Sequence, residues 1–209
     1  MRTQIRIVAG SLRGRKLSCT VNPNLRPTPQ MVREALFSIL GNAVPDRTFF
    51  DVFAGTGVIG LEALSRGARA VFFVERDLRL IAELEEHIQQ FGVAAEARII
   101  RGDVYRWIER WRPPSEPVNV FLSPPFADFT RRLDEMLQLM QVIQSKIHIG
   151  SVLILQSEST AALDGLAHSG DWDIRRYGRN ELWFWVKEPA ESQNHDESHD
   201  ASNDASPDQ

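Results

Sequence analysis

Asp51-Val52-Phe53-Ala54-Gly55-Thr56-Gly57-Val58-Ile59-Gly60 decides the fold of this chain. An apolar, β-prone run, Thr48–Phe53, leads into it, and a helical pattern, Val58–Arg66, leaves it. Between them, Gly55-x-Gly57-x-x-Gly60 permits a tight turn and a close approach of backbone to ligand, with the N–H groups of a helix N-terminus exposed. Glu75 follows at the end of the next predicted strand, where a carboxylate can accept hydrogen bonds from both hydroxyls of an adenosine ribose. Strand, glycine turn, helix and acid in that order form a nucleotide-binding fingerprint. A merely structural tight turn would need neither the helix nor the acid.

Outward from this stretch the pattern is repeated βα. Strands are predicted at Ala70–Val74, Ala97–Arg101, Val118–Leu122 and Ser151–Gln156, with helices over Leu78–Phe91 and Phe129–Ser145. Such alternation predicts an α/β fold, a parallel sheet with helices on both faces. The chain ends differently, with Asp173–Tyr177, a Gly178-Arg179-Asn180 turn and Glu181–Val186. That is a hairpin, so one terminal strand runs antiparallel. Leu182 to Val186 are apolar at consecutive positions, which places that strand inside the sheet rather than at its edge. Upstream, Gln4–Ala9 and Gly14–Cys19 flank a Gly/Ser/Arg turn and predict a second hairpin. Thr28 reads as the N-cap and Pro29 as the first residue of a helix whose apolar face is Met31, Val32, Ala35, Leu36, Ile39 and Leu40, ended by Gly41. Trp107 and Trp111, four apart, read as helix packing.

The 209 residues fit one domain over 1–187, with residues 1–27 as a basic N-terminal arm and 188–209 as a disordered acidic tail. The net charge of −4 hides a segregation. Seven of the 28 acids and none of the 24 Lys and Arg lie in the tail, whereas Arg2, Arg6, Arg13, Arg15, Lys16, Arg26 and Arg33 precede the first acid. A basic arm on a mildly basic body suits a polyanionic partner, and equally a solvated surface. No apolar run approaches the about 18 residues of a membrane span, and no signal-peptide core opens the chain, so a cytoplasmic protein without membrane contact is expected. Cys19 is the one cysteine, and the histidines lack ligand spacing, so neither a disulfide nor a metal is expected.

Two ligands, NAD and S-adenosylmethionine, fit the glycine turn, and electrostatics separates them. Asp51, four residues before Gly55, would repel a pyrophosphate but suits an ammonium and a sulfonium. Asp103, after the third strand, can accept from an adenine amino group, or alternatively cap the helix Val104–Arg110. Ser123-Pro124-Pro125-Phe126 follows the fourth strand, across the point where open α/β sheets bind ligands. Two prolines stiffen the loop and Phe126 offers a face for a base. The Ser123 hydroxyl and Pro124 carbonyl can localise the lone pair of an exocyclic amine for in-line attack on a methyl, so positioning and preorganised acceptors are most of the catalysis.

These stretches, with Ile5-Arg6-Ile7-Val8-Ala9-Gly10, Arg13-Gly14-Arg15-Lys16-Leu17, Leu25-Arg26-Pro27-Thr28, Val32-Arg33-Glu34-Ala35-Leu36-Phe37 and Leu61-Glu62-Ala63-Leu64-Ser65-Arg66-Gly67-Ala68, resemble the RsmD family of bacterial small-subunit ribosomal RNA guanine-N2 methyltransferases over roughly residues 4–187. The resemblance implies a class I S-adenosylmethionine-dependent methyltransferase, a Rossmann-like seven-stranded sheet with its last strand antiparallel. It implies a monomer working on 16S rRNA, in the small ribosomal subunit or its assembly intermediate. By motif position, Asp51, Phe53, Gly55, Thr56 and Gly57 would line the methionine end of the cofactor, Glu75 its ribose, and Asp103 with Val104 its adenine. Ser123, Pro124, Pro125 and Phe126 would be the reaction loop. Arg6, Arg13, Arg15, Lys16 and Arg33 would meet RNA, with Arg26 and Thr28 near the entering base.

The family's reaction loop usually begins with Asp, or Asn in related enzymes, where this chain has Ser123. Serine is a weaker acceptor for a guanine edge, which keeps two alternatives open: methylation of another nucleic-acid amino group, and a weakly active or inactive RNA-binding assembly factor.

Overall fold

A computed structural model describes residues 2–20, 27–158 and 172–189. Its elements are β1 (Arg2–Arg6), β2 (Lys16–Thr20), α1 (Gln30–Leu40), β3 (Thr48–Val52), α2 (Val58–Ser65), β4 (Ala70–Glu75), α3 (Leu78–Phe91), β5 (Ala97–Arg101), α4 (Val104–Arg110), β6 (Val118–Leu122), α5 (Asp128–Arg131), α6 (Leu133–Lys146), β7 (Val152–Glu158), β8 (Asp173–Tyr177) and β9 (Asn180–Val186). Seven strands form one sheet in the order β5-β4-β3-β6-β7-β9-β8. The first five lie parallel, and β9 runs antiparallel to both neighbours. β9 is interior because both its faces are apolar: Leu182 and Phe184 enter the core on one side, Trp183 the core on the other.

The two cores lie on opposite faces of the sheet. Val32 and Leu36 of α1, Leu61 of α2 and Leu84 of α3 fill one. Ile108 of α4 with Met136, Leu139 and Ile143 of α6 fill the other. Trp111 is buried there beside Trp107, its ring 5.2 Å away, so this pair is packing. β1 and β2 pair antiparallel, with Arg6 opposite Lys16, and Ile5 and Leu17 dock the hairpin on the first core.

Three local readings need correction. The hairpin strands are displaced outward from the runs expected for them, Arg2–Arg6 starting two residues before Gln4 and Lys16–Thr20 ending one residue after Cys19. Thr28 does not cap α1: Pro29 holds the cap position without a side-chain bond, and the Thr28 hydroxyl instead donates to Gln156 Oε1 at 2.7 Å. The helix expected over Phe129–Ser145 is two, because Arg132 at φ −136 interrupts it. Arg26, His195, His199 and most of the acidic tail lie outside the described residues.

Candidate active site

The chain winds from β3 outward to β4 and β5, then returns to place β6 on the other side of β3. That reversal opens a crevice at the C-terminal ends of β3 and β6, from which the glycine loop and the Ser123 loop respectively emerge.

The glycine loop is shaped by backbone geometry and tight packing. Phe53 takes φ +62, a left-handed conformation that costs a bulky residue roughly 1–3 kcal/mol and clusters at functional sites. Gly57 at φ +71 turns the chain into α2. Gly60 is required by proximity: a Cβ there would lie 2.2 Å from the Phe73 ring, so only glycine lets α2 settle on β4.

Asp51 is 1 % exposed and accepts one hydrogen bond, from Gly60 N–H at 2.9 Å. Burial pushes its carboxyl up to about 7; the Glu75 charge adds to the shift, and the Gly60 bond opposes it. Among the described residues no Lys or Arg forms an ion pair with it. A buried carboxylate in that state is suited to a cationic ligand.

Glu75 ties the loop to the end of β4. Its Oε2 accepts from Gly55 N–H at 2.8 Å, and its Oε1 from the N–H groups of Arg76 at 2.8 Å and Asp77 at 2.9 Å. Asp103 is the N-cap of α4, as the alternative reading had it: Oδ1 accepts from Tyr105 N–H at 3.0 Å, and Oδ2 from Arg76 at 3.1 Å. Capping engages Oδ1 alone, and Oδ2 meets two side chains, the mostly exposed Arg76 at 3.1 Å and Arg132 at 3.6 Å. Thr56 and Val104 are buried, Val104 within the second core.

On the other lip of the crevice, Ser123 donates its N–H to the Val52 carbonyl at 3.2 Å. Ser123 is half-buried, Pro124 buried, and Pro125 and Phe126 exposed, so the ring expected to stack a base faces solvent. Neither the Ser123 hydroxyl nor the Pro124 carbonyl has a hydrogen-bond partner among the described residues. The Pro125 carbonyl is taken by Asp128 N–H at 2.8 Å, which shapes the turn into α5.

The basic residues divide. Arg33, expected at RNA, is 3 % exposed and structural: it donates to the Thr28 carbonyl at 2.7 Å, to the Arg6 carbonyl at 2.9 Å, and lies 3.4 Å from the fully buried Glu62. The buried acid of α2 needs a cation, and Arg33 supplies one on Oε1 while Arg66 lies 3.6 Å from Oε2. Thr28 is 6 % exposed with its hydroxyl committed to Gln156, so it is not open to an entering base. Gln156 passes the chain on to Asn180 at 3.1 Å, tying the start of α1 to β7 and β9.

Arg6, Arg13, Arg15 and Lys16 are exposed. Yet the hairpin lies along α3, with Ser18 N–H on His87 Nε2 at 3.1 Å, Thr20 on Glu83, and Arg15 on the Gln90 carbonyl at 3.0 Å. Its Arg13–Lys16 turn therefore sits at the C-terminal end of α3, while the cofactor crevice is at the other. The helix is 14 residues, about 21 Å at 1.5 Å per residue. Sequence reasoning passed over Arg76, Tyr105 and Asp128. Arg76 directly follows Glu75, and Asp128 is the acid nearest in sequence after the Ser123 loop; these were the available signals.

The family described as Conserved hypothetical protein 95 matches residues 5–186. The ribosomal RNA small subunit methyltransferase D of Buchnera aphidicola is 34 % identical over 125 residues, 59 % of this chain and 64 % of that protein. The protein of the same name from Escherichia coli is 37 % identical over 140 residues, 66 % of this chain and 67 % of that one. Those alignments span about two thirds of the relatives' length. The solved structure of a putative methyltransferase, yhhF, from Escherichia coli superposes with a TM-score of 0.70 at 29 % identity, covering 89 % of this chain and 99 % of that one. The sheet, with β9 antiparallel between β7 and β8, is the class I methyltransferase sheet, and with the match over residues 5–186 the chain belongs to the RsmD family.

Proposed function

We propose that this chain transfers a methyl group from S-adenosylmethionine to the exocyclic N2 amine of a guanine in 16S rRNA of the small ribosomal subunit. One observation carries the reading: Asp51, a buried carboxylate without a cation among the described residues, and two acceptors without a partner among them, the Ser123 hydroxyl and Pro124 carbonyl, emerge from adjacent central strands at one crevice. When bound, the cofactor supplies an electrophilic methyl on a sulfonium and departs as a neutral thioether.

The chain's residues do the rest. Asp51 faces the cationic end, with Phe53, Gly55, Thr56 and Gly57 forming the wall; Glu75 accepts from the ribose, and Asp103 Oδ2 beside Val104 from the adenine. Phe126 holds the base by stacking. The two acceptors draw the amine hydrogens into their plane and leave the nitrogen lone pair aimed at the methyl. As the N–C bond forms, the nitrogen becomes acidic and releases one proton to solvent, so no strong base is needed. Arg6, Arg13, Arg15 and Lys16 meet RNA phosphates away from the crevice. The chain acts as a cytoplasmic monomer, on the small subunit or an assembly intermediate.

The test is methyl transfer from labelled cofactor to small-subunit rRNA from a strain lacking the enzyme, followed by mass mapping of the modified nucleotide. Label on a guanine N2 is expected; no transfer to any rRNA would sink the reading.

A further inference from the structure

Tyr105 links the glycine loop, the Asp103 cap and the first residue of α5, which follows the Ser123 loop. Its N–H is bound by Asp103, the adenine-side acid, at 3.0 Å. Its ring stands edge-on to Phe53 of the glycine loop, 5.6 Å between centroids, the same Phe53 held at φ +62. Its hydroxyl donates to Asp128 Oδ2 at 2.8 Å, and Asp128 N–H closes the turn on the Pro125 carbonyl at 2.8 Å. The Arg132 guanidinium covers the ring at 3.8 Å and lies 3.6 Å from Asp103, so the ring is clamped from a second side.

Packing alone does not fix this corner. A cavity of about 560 Å³ opens beside it, lined by Asp103, Tyr105, Arg106, Glu109, Arg132 and Glu135. α5 is a single turn, four residues long, with Phe129 as its buried residue. Besides buried Phe129 and the backbone bonds of the turn, the Tyr105–Asp128 bond is the side-chain tie between this segment and α4 among the described residues. Burial, and next the bond to Asp128, push the Tyr105 phenol well above its ordinary range, so it stays a donor throughout the working pH.

We propose that Tyr105 is a positioning residue that couples cofactor occupancy to the reaction loop: ordering of the glycine loop and Asp103 around a bound cofactor fixes the ring, and its hydroxyl, through Asp128, sets Ser123–Phe126. The inference rests on the methyl-transfer reading. The coupling is thermodynamic, so a ligand that favours the fixed ring also favours the ordered loop.

The experiment is hydrogen–deuterium exchange of the full chain with and without S-adenosylhomocysteine, in wild type, Tyr105→Phe and Asp128→Ala. Ligand should slow exchange in residues 123–132 of the wild type. Both variants should lose that protection while keeping it at residues 53–60. Tyr105→Phe retains the ring and its contacts with Phe53 and Arg132, so its folding is preserved. Its turnover on rRNA should fall about tenfold, the weight of one hydrogen bond, and its ligand affinity by the same factor as the loop protection it loses. The Tyr105→Phe/Asp128→Ala double variant should be no slower than either single. Protection of residues 123–132 that survives in Tyr105→Phe overturns the coupling. A wild type that protects the loop but transfers no methyl would instead overturn the methyl-transfer reading and leave the coupling standing.

Discussion

Ser123 N–H donates to the Val52 carbonyl at 3.2 Å, so the reaction loop is tied to the strand that carries the glycine loop. β3 and β6 are buried along their whole lengths, which makes the distance between the points where the two loops leave the sheet a property of the sheet; beyond Ser123 the loop depends on its own contacts.

Ser123→Ala keeps that backbone bond and removes only the hydroxyl. Turnover on rRNA should fall about tenfold or more, with cofactor affinity within twofold, measured by single-turnover kinetics and calorimetry. Ser123→Asp restores a carboxylate acceptor and should raise turnover on guanine. An affinity loss that outweighs the rate loss in Ser123→Ala would remove it from the reaction loop's chemistry.

Asp51 makes cofactor binding pH-dependent. Its carboxyl lies near 7 in the free protein, and a cationic ligand favours the ionised form. Affinity for S-adenosylmethionine should therefore fall roughly tenfold per unit as pH drops below 7, with proton release on binding. Asp51→Asn should bind weakly and without that slope; a wild-type affinity flat between pH 5.5 and 8 contradicts the contact. Stability runs the other way in the free protein. The folded value is raised above the ordinary 3.8, so the contribution is full below about 4 and is lost as pH climbs through about 7. Relative to Asp51→Asn, the free wild type should show a Tm that declines over that window.

Glu75 accepts three backbone N–H groups, which assigns it a structural share besides the proposed ribose contact. Glu75→Ala leaves those donors without their acceptor. Cofactor affinity should fall at least tenfold and stability by about 1–3 kcal/mol, read by calorimetry and urea unfolding. An unchanged midpoint with lost affinity would confine Glu75 to the ligand.

Arg33 and the hairpin cations should separate cleanly. Arg33→Ala removes one of the two cations at the buried Glu62 carboxylate, leaving Arg66 at 3.6 Å, and frees the Thr28 and Arg6 carbonyls of their donor; it should cost about 1–3 kcal/mol of stability. Arg13→Ala, Arg15→Ala and Lys16→Ala should leave the fold close to wild type. They should weaken rRNA binding and reduce its salt slope by roughly one for each phosphate that is no longer neutralised. Because their turn lies at the far end of α3, they should raise KM for RNA while kcat holds. Unchanged rRNA affinity and salt slope in the triple variant would make the arm a solvated surface.

Much of this architecture was legible because its causes are local. Glycine spacing between a strand and a helix predicts the cofactor turn without knowledge of the rest. Five consecutive apolar residues placed β9 inside the sheet. The Phe129–Ser145 helix was misjudged because apolar periodicity carries through Arg132, although the backbone breaks there. Thr28 before Pro29 has the composition of a cap, and only the presence of Gln156 on β7 explains why its hydroxyl turns elsewhere.

The sequence by itself determined the fold class, the order of loops around the crevice and the residues offered at each, since backbone conformation and side-chain periodicity are written within a few positions. Tertiary structure alone decided what each polar side chain does. Arg33 has the same charge as Arg15, but the fold brings Glu62 to one and solvent to the other. Asp103 caps a helix with one oxygen and meets Arg76 and Arg132 with the other. Tyr105 reaches Asp128 across 23 residues. Charge and hydrogen-bonding capacity belong to a residue, whereas partner and burial belong to the packing of elements distant in sequence.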